Sequence, residues 1–177
     1  CRHMNSCENN EMLKLLADLV RCPTENRPPH GYEAEGIDRI EKAYQQLGLQ
    51  VSRVCPKDLP QYPSHPAFLP RDFEGRENVV GVWRGKGGGK SVLLTGHMDV
   101  APKEPMPWTI TQPYEPLVRD GRMYGRGTAD MKAGLVCAWE AVRRLQAEGF
   151  TPSGDVLLES VVDEEYAGAN GTVAGRL

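Results

Sequence analysis

The chain has 177 residues, of which 40% are hydrophobic and 25% are charged, a composition typical of a soluble globular domain with its own core. The formal net charge of -3 argues against a nucleic-acid binder, which would carry an excess of basic residues. No apolar run approaches the roughly 18 residues that a membrane span needs, so a membrane is not expected as a partner either.

The amino-terminal residues and the cysteines give only general information. Residues 1–3 precede Met4 and are interpreted as the remnant of an added tag, which removes His3 from any metal-binding argument. The start of the chain shows no secretion-signal pattern. The five cysteines have no metal-binding or disulfide spacing, which predicts a reducing, cytoplasmic setting. Cys137 falls in an apolar helical pattern and is predicted to be a small core residue.

The predicted elements alternate between helices and strands along the chain. Helical spacing of apolar residues predicts helices at 8–22, 32–47 and 131–148. Strands are predicted at 49–54, 78–83, 91–95 and 155–162, with a tight turn at 120–121 and an irregular segment at 56–70. The glycine-rich residues 85–90 are interpreted as a hairpin connection. This alternation predicts a layered α/β domain.

The first candidate site follows the apolar run at residues 92–94. His97 and Asp99 are two residues apart, so in an extended strand both side chains project to the same face. A metal-bound histidine commonly donates its second ring N–H to a carboxylate, and Asp99 is placed for that role. By itself the pair is slightly more typical of a solvated histidine beside a turn-forming aspartate.

The second candidate is Asp130, which follows residues 125–129, small apart from Arg126, and directly precedes the helix predicted at 131–148. An aspartate in this place is ordinarily explained as a helix N-cap. The alternative is that its two carboxylate oxygens bridge a pair of metal ions.

The third candidate is a run of three carboxylates after the strand predicted at 155–162, namely Asp163, Glu164 and Glu165. A solvated acidic loop is the ordinary explanation, whereas a bound divalent cation would offset the mutual repulsion. In extended backbone neighbouring side chains point in opposite directions. Glu165 would then bind metal while Glu164 faces the attacking water as a general base.

Considered together, the three candidates favour a metal site. Each lies at the end of a predicted strand or in the loop beyond it, where open α/β sheets gather their ligand sites. Imidazole and carboxylate ligands suit Zn²⁺, with Co²⁺ or Mn²⁺ as substitutes. Two such ions about 3.5–4 Å apart would together polarise a carbonyl and activate one water.

The sequence resembles the M20 metallopeptidase family, which includes acetylornithine deacetylase, succinyl-diaminopimelate desuccinylase, aminoacylase and glutamate carboxypeptidase. The resemblance rests on LLTGHMDVAP at 93–102, DGRMYGRGTADMKAG at 120–134 and VVDEEYAGANGT at 161–172. The motifs occur in the family's order and at its spacing.

This resemblance implies that His97 binds one metal ion, that Asp130 bridges two and that Glu165 binds the second. It also implies that Glu164 is the catalytic base, that Asp99 orients His97 and that a cis peptide bond follows Asp130. The implied fold is the three-layer αβα catalytic domain of the zinc-exopeptidase type. The implied activity is that of a two-zinc amidohydrolase cleaving the amide bond of N-acyl amino acids, in the manner of a deacetylase or desuccinylase.

Family members are longer than this chain, so residues 1–177 are interpreted as the N-terminal half of the catalytic domain. The lid and dimerisation domain, a further carboxylate ligand and a final histidine ligand are expected outside it. His3, His30 and His65 precede the motifs and match none of those roles. The complete protein is expected to be a cytoplasmic homodimer, and this half alone to bind metal weakly without turnover.

The sequence is compatible with two other functions of the same kind of site, and a third is disfavoured. A dipeptidase or carboxypeptidase of the same family would use the same residues on a short peptide. A non-catalytic, metal-binding relative would keep these ligands and lack others. A nucleotide-binding loop at 84–91 is disfavoured, because Arg84 occupies the position of the first glycine in GxxxxGK[ST] and the loop leads into a strand.

Overall fold

A mixed four-stranded sheet forms the centre of the computed structural model, which describes residues 10–176. The sheet has the order β3-β4-β8-β5, and its strands are β3 (Gln50–Val54), β4 (Asn78–Trp83), β5 (Val92–His97) and β8 (Val156–Val161). Strand β8 pairs antiparallel with β4 and parallel with β5. Two small hairpins complete the strands: β1 (Asn26–Arg27) with β2 (His30–Gly31), and β6 (Leu117–Arg119) with β7 (Arg122–Tyr124).

The long helices are α1 (Glu11–Arg21), α2 (Ala34–Gln46) and α3 (Lys132–Ala147). The side chain of Asn10 caps α1 by accepting the backbone N–H of Met12 at 3.1 Å. Just beyond the ends of α2 and α3, Gly48 and Gly149 take φ values of 71° and 73°, which favour glycine. The predicted helices are therefore confirmed within the described residues, and positions 8 and 9 of the first one lie outside them.

One core cluster joins the three helices to the sheet. Helical spacing places apolar residues on one stripe of each helix, and alternation places others on one face of the strands. Representative members of the cluster are Leu19, Ile40, Val79, Leu135 and Leu158. The predicted α/β class, a sheet flanked by helices, is thus confirmed.

The connection between β4 and β5 differs from the predicted hairpin. These strands are not neighbours, because β8 lies between them. The glycine-rich segment passes beside the loop that leads into β8, so closely that a Cβ on Gly154 would overlap the carbonyl oxygen of Lys90. The hairpin prediction was wrong because a glycine-rich linker between two strands does not reveal which strands pair.

Smaller predictions had mixed outcomes. The tight turn between β6 and β7 is confirmed, with φ values of 52° at Asp120 and 73° at Gly121. The predicted irregular segment contains two single 3₁₀ turns at Pro56–Asp58 and Tyr62–Ser64. Cys137 is exposed, so its prediction as a core residue was wrong; the apolar pattern of α3 left it off the buried stripe. Cys1, Cys7 and His3 lie outside the described residues.

A buried lysine fixes the start of α3. The Nζ of Lys132 donates to the carbonyl oxygens of Leu19 and Cys22, each at 2.8 Å, and so ties α3 to the end of α1. Burial lowers the pKa of Lys132 to about 8. Among residues 10–176, no helix combines the length and apolar content that crossing a bilayer requires.

Candidate metal centre

Three side chains from separate parts of the chain meet at one end of the sheet. His97 is the last residue of β5, Asp130 lies just before α3, and Glu165 lies in the turn after β8. One ligand atom from each residue lies within 4.8 Å of the other two. Because β5 and β8 run parallel, their carboxyl ends fall at the same edge and bring His97 and Glu165 together.

The imidazole of His97 is buried among acidic groups. Its Nε2 atom lies 3.0 Å from Oδ1 of Asp130 and 3.4 Å from Oε2 of Glu164. Burial opposes the charged imidazolium, but the carboxylates of Asp99 and Glu164 outweigh it and raise the pKa of His97 to about 9. The Nε2 atom therefore points into the space that the acidic side chains share.

Asp130 does not act as a helix cap. The cap position of α3 is occupied by Met131, and within residues 10–176 no side chain caps this end of the helix. The side chain of Asp130 is 76% exposed and turns towards His97 instead. The peptide bond between Asp130 and Met131 is cis, as the family resemblance implied.

The contact between Asp99 and His97 differs in its atoms from the predicted one. The Nδ1 atom of His97 lies 2.9 Å from the backbone carbonyl oxygen of Asp99 and 3.6 Å from its Oδ1. The carboxylate instead accepts the backbone N–H groups of Glu164 at 3.1 Å and Glu165 at 3.0 Å. Burial would raise the pKa of Asp99, but the neighbouring His97 and these donors hold it below its usual value.

The acidic run after β8 is not extended, so the prediction of alternating directions was wrong. Residues 164–168 form a turn, and the backbone enters it through Asp163 at a φ of 59°. Glu164 lies near the ring of His97, while Oε1 of Glu165 accepts the N–H of Ala101 at 3.0 Å. Burial, together with the charges of Asp130 and Asp99, raises the pKa of Glu165 although Ala101 and His97 oppose it.

Asp163 has a different environment from the two glutamates. It is fully buried and pairs with Arg76 at 2.9 Å and with Arg71 at 3.4 Å. Its oxygens also accept the side-chain amides of Asn26 at 2.9 Å and Asn170 at 2.5 Å. Arginine, and not a metal ion, therefore offsets the charge of Asp163, and the acidic run divides into one structural residue and two that face the site.

Sequence reasoning missed the polar residues that support this end of the sheet. Asn26, Glu33 and Arg76 are buried and connected, with Arg76 donating to Glu33 at 2.7 Å. Their sequence neighbours show no motif spacing. Their only signal is polarity in segments that otherwise belong to the core, and that signal is too weak to identify them.

The residues present fit a divalent metal ion. One imidazole and two carboxylates, from His97, Asp130 and Glu165, converge at distances that a shared cation can span. Glu164 adds a further negative charge beside His97. Such a cluster would be stabilised by a cation, since its carboxylates are close enough to repel one another.

An open cavity of about 490 Å³ borders the segment that precedes Asp130. Its walls come from residues 106–111 and 123–125, and Thr128 also lines it. The guanidinium of Arg126 lies 5.3 Å from the ring centroid of Trp108 and pairs with Glu104 at 2.5 Å. These contacts hold the cavity wall in a defined position.

Comparison with known proteins gives a consistent result. The sequence model for "Peptidase family M20/M25/M40" matches residues 93–177. Human carnosine dipeptidase 1 is 22% identical with a TM-score of 0.67, and the match covers 90% of this chain and 33% of that chain. A di-peptidase from Saccharomyces cerevisiae is 20% identical with a TM-score of 0.69, over 89% of this chain and 33% of that one.

A third solved structure is that of an M20 family metallo-carboxypeptidase from Sulfolobus solfataricus, which is 18% identical with a TM-score of 0.65. The match covers 86% of this chain and 30% of that chain. At these identities the likeness to the solved structures shows a common fold. The chain spans about a third of the length of the proteins it matches.

Proposed function

We propose that the complete protein is a metal-dependent hydrolase of amide bonds, because the model for peptidase family M20/M25/M40 matches residues 93–177. The observation that carries the proposal is the convergence of His97, Asp130 and Glu165 from three distant parts of the chain. A divalent metal ion bound there would polarise the substrate carbonyl and increase the acidity of a water molecule. The proposed ions are two Zn²⁺, with Co²⁺ or Mn²⁺ as substitutes.

The residues around the cluster divide the remaining work. Glu164 is 45% exposed and lies against His97, and no arginine of the described residues pairs with it, so it is the proposed general base. It would take a proton from the attacking water and deliver it to the leaving amide nitrogen. His97, Asp130 and Glu165 would hold the metal, and the carbonyl group of Asp99 would fix the ring of His97.

We propose two substrate classes for this site. The first is N-acyl amino acids, which a deacetylase or desuccinylase would cleave. The second is short peptides, and the solved structures named above favour it, since two of those proteins are dipeptidases and one is a carboxypeptidase. We also propose that the complete protein is a cytoplasmic homodimer and that residues 1–177 form the N-terminal half of its catalytic domain.

The proposal is tested on the complete protein loaded with Zn²⁺. Turnover is measured on a panel of N-acetyl and N-succinyl amino acids and of dipeptides, and bound metal is counted by mass spectrometry. Glu164→Gln should retain the metal while kcat falls by about 10²–10⁴-fold, which is the usual contribution of a general base. Glu148→Gln, at an exposed position beyond α3, is the matched control and should leave kcat unchanged.

Two results would contradict the proposal at different points. Normal hydrolysis by Glu164→Gln would remove Glu164 as the base and leave the hydrolase assignment standing. A wild-type protein that binds metal and cleaves no member of the panel would favour the non-catalytic, metal-binding alternative.

A further inference from the structure

We propose that Asn26 is a positioning residue of the candidate metal centre, which sets the location of Glu164 and Glu165 through Asp99. Asn26 touches neither glutamate side chain, and its action on them is indirect. This inference depends on the proposed function, because it assigns a role within that same site.

The contacts form a short chain of hydrogen bonds that begins at the amide of Asn26. Its Nδ2 donates to Oδ2 of Asp99 at 2.8 Å and to Oδ1 of Asp163 at 2.9 Å. The carboxylate of Asp99 then accepts the backbone N–H groups of Glu164 and Glu165. One amide group therefore joins Asp163, which directly precedes the turn that carries both glutamates, to Asp99, which accepts hydrogen bonds from the backbone of that turn.

The amide has one orientation available. Its Oδ1 faces Nη2 of Arg76 at 3.5 Å, so the oxygen points to the cation and the two N–H groups point to the carboxylates. The backbone is fixed as well, since the N–H of Asn26 donates to the carbonyl oxygen of Val100 at 3.0 Å. The backbone of Asn26, in β1, is thus held against the segment that follows β5.

Electrostatics explains why the amide matters. Asp99 and Asp163 are both fully buried, and Asn26 is the donor that they share. Without its two N–H groups each carboxylate loses a partner and the two negative charges face each other more directly. Because Asp99 also holds the backbone of Glu164 and Glu165, its displacement would move a proposed metal ligand together with the proposed base.

The alternative is that Asn26 only fills space in the core. Asn26→Asp separates the two roles, since aspartate has nearly the same shape but donates no hydrogen bond. A packing role predicts that Asn26→Asp is milder than Asn26→Ala. The positioning role predicts that Asn26→Asp weakens metal binding at least as much as Asn26→Ala does, because it adds a third carboxylate beside Asp99 and Asp163.

The experiment uses the complete protein with Asn26→Ala, Asn26→Asp and the matched core variant Val142→Ala, which lies on α3 outside these contacts and is buried. Co²⁺ affinity is measured by competition with a chelator, and kcat and KM are measured on the best substrate of the panel. The rise in melting temperature on saturation with Co²⁺ is recorded for each variant, because this difference cancels the intrinsic loss of stability.

Both Asn26 variants should bind Co²⁺ about 10–100-fold more weakly, as is usual when the support of a metal ligand is removed. They should lower kcat more than they raise KM and show a smaller Co²⁺-induced rise, while Val142→Ala matches wild type in all three. If Asn26→Ala does not fold, the Co²⁺ affinity and kcat of Asn26→Asp decide between the two roles.

Wild-type Co²⁺ affinity and kcat in the Asn26 variants would overturn the positioning role and leave the hydrolase proposal intact, as would an equal loss in Val142→Ala. A wild-type protein that binds no Co²⁺ would overturn both.

Discussion

The buried carboxylates of Glu33 and Asp163 both contact the guanidinium of Arg76. Its Nη2 atom lies 2.7 Å from Oε1 of Glu33 and 2.9 Å from Oδ1 of Asp163. Removing one member of such a group is more damaging than exchanging the whole group, because an uncompensated charge remains in the interior. Arg76 is thus the cation that both buried carboxylates contact, and its contact with Asp163 connects stability to the turn that carries Glu164 and Glu165.

Arg76→Met is expected to lower the free energy of unfolding by about 3–5 kcal/mol, measured by urea denaturation of the complete protein. Arg53→Met is the matched control, since Arg53 also contacts three carboxylates but is 29% exposed. Its loss should be about 0–1 kcal/mol. Equal losses in the two variants would show that burial of the Arg76 group adds nothing to its importance.

The pH dependence of this loss has a defined sign. Burial raises the pKa of Glu33, and the hydrogen bonds and charge of Arg76 oppose the rise. A carboxyl group whose pKa is raised in the folded state costs stability as the pH rises towards that pKa. Without Arg76 the pKa of Glu33 rises further, so the deficit of Arg76→Met should be larger at pH 8 than at pH 5. A deficit that grows as the pH falls would contradict this account.

At this scale the sequence predicted the residues with local patterns and missed those without them. His97, Asp130 and Glu165 were predicted as ligands because they lie at the end of a strand, before a helix and in the loop after a strand. Arg76 acts on Glu33 and Asp163 across 43 and 87 positions of the chain, and no periodicity records contacts of that length. Only folding brings these residues together.

At the scale of helices and strands, the sequence again predicted local features and missed contacts between distant segments. The bounds of β4 and the extent of α3 followed from apolar periodicity, which is a local property. The position of β8 between β4 and β5 did not, because pairing depends on residues more than 60 positions apart (Gly96 with Ser160, for example). The close approach of Gly154 to Lys90 is the local consequence of that topology.

Gly154→Ala tests this arrangement of strands. An added methyl group would meet backbone atoms of Lys90 and Ser91, which cannot move away as a flexible side chain can, so we expect a loss of about 1–3 kcal/mol or more in unfolding free energy. Gly88→Ala, in the β4–β5 connection that passes beside Gly154, is the matched control: its φ is 84°, but among the described residues nothing lies within 4 Å of an added Cβ. It should cost about 1–2 kcal/mol, for the left-handed backbone alone. A smaller loss for Gly154→Ala than for Gly88→Ala would contradict the packing of this connection against the start of β8.

For the whole molecule, the candidate metal centre is the point where β5, the start of α3 and the turn after β8 meet. An ion that binds the folded chain and not the unfolded one stabilises every element that it joins. Without it, Asp130, Glu164 and Glu165 repel one another around a single imidazole, which weakens the same junction. Metal binding at the centre should therefore raise the free energy of global unfolding and not only order the turn.

We expect free Zn²⁺ at about a hundredfold above its Kd to raise the unfolding free energy of the complete protein by about 2.7 kcal/mol, and EDTA to reverse the effect. Asp130→Asn should leave the metal-free stability nearly unchanged, because the side chain is 76% exposed and caps no helix, yet it should remove most of the gain from Zn²⁺. Calorimetry with and without Zn²⁺ measures both quantities. A full Zn²⁺ response in Asp130→Asn would mean that the ion binds elsewhere, whereas a large loss of metal-free stability would mean that Asp130 supports the fold directly.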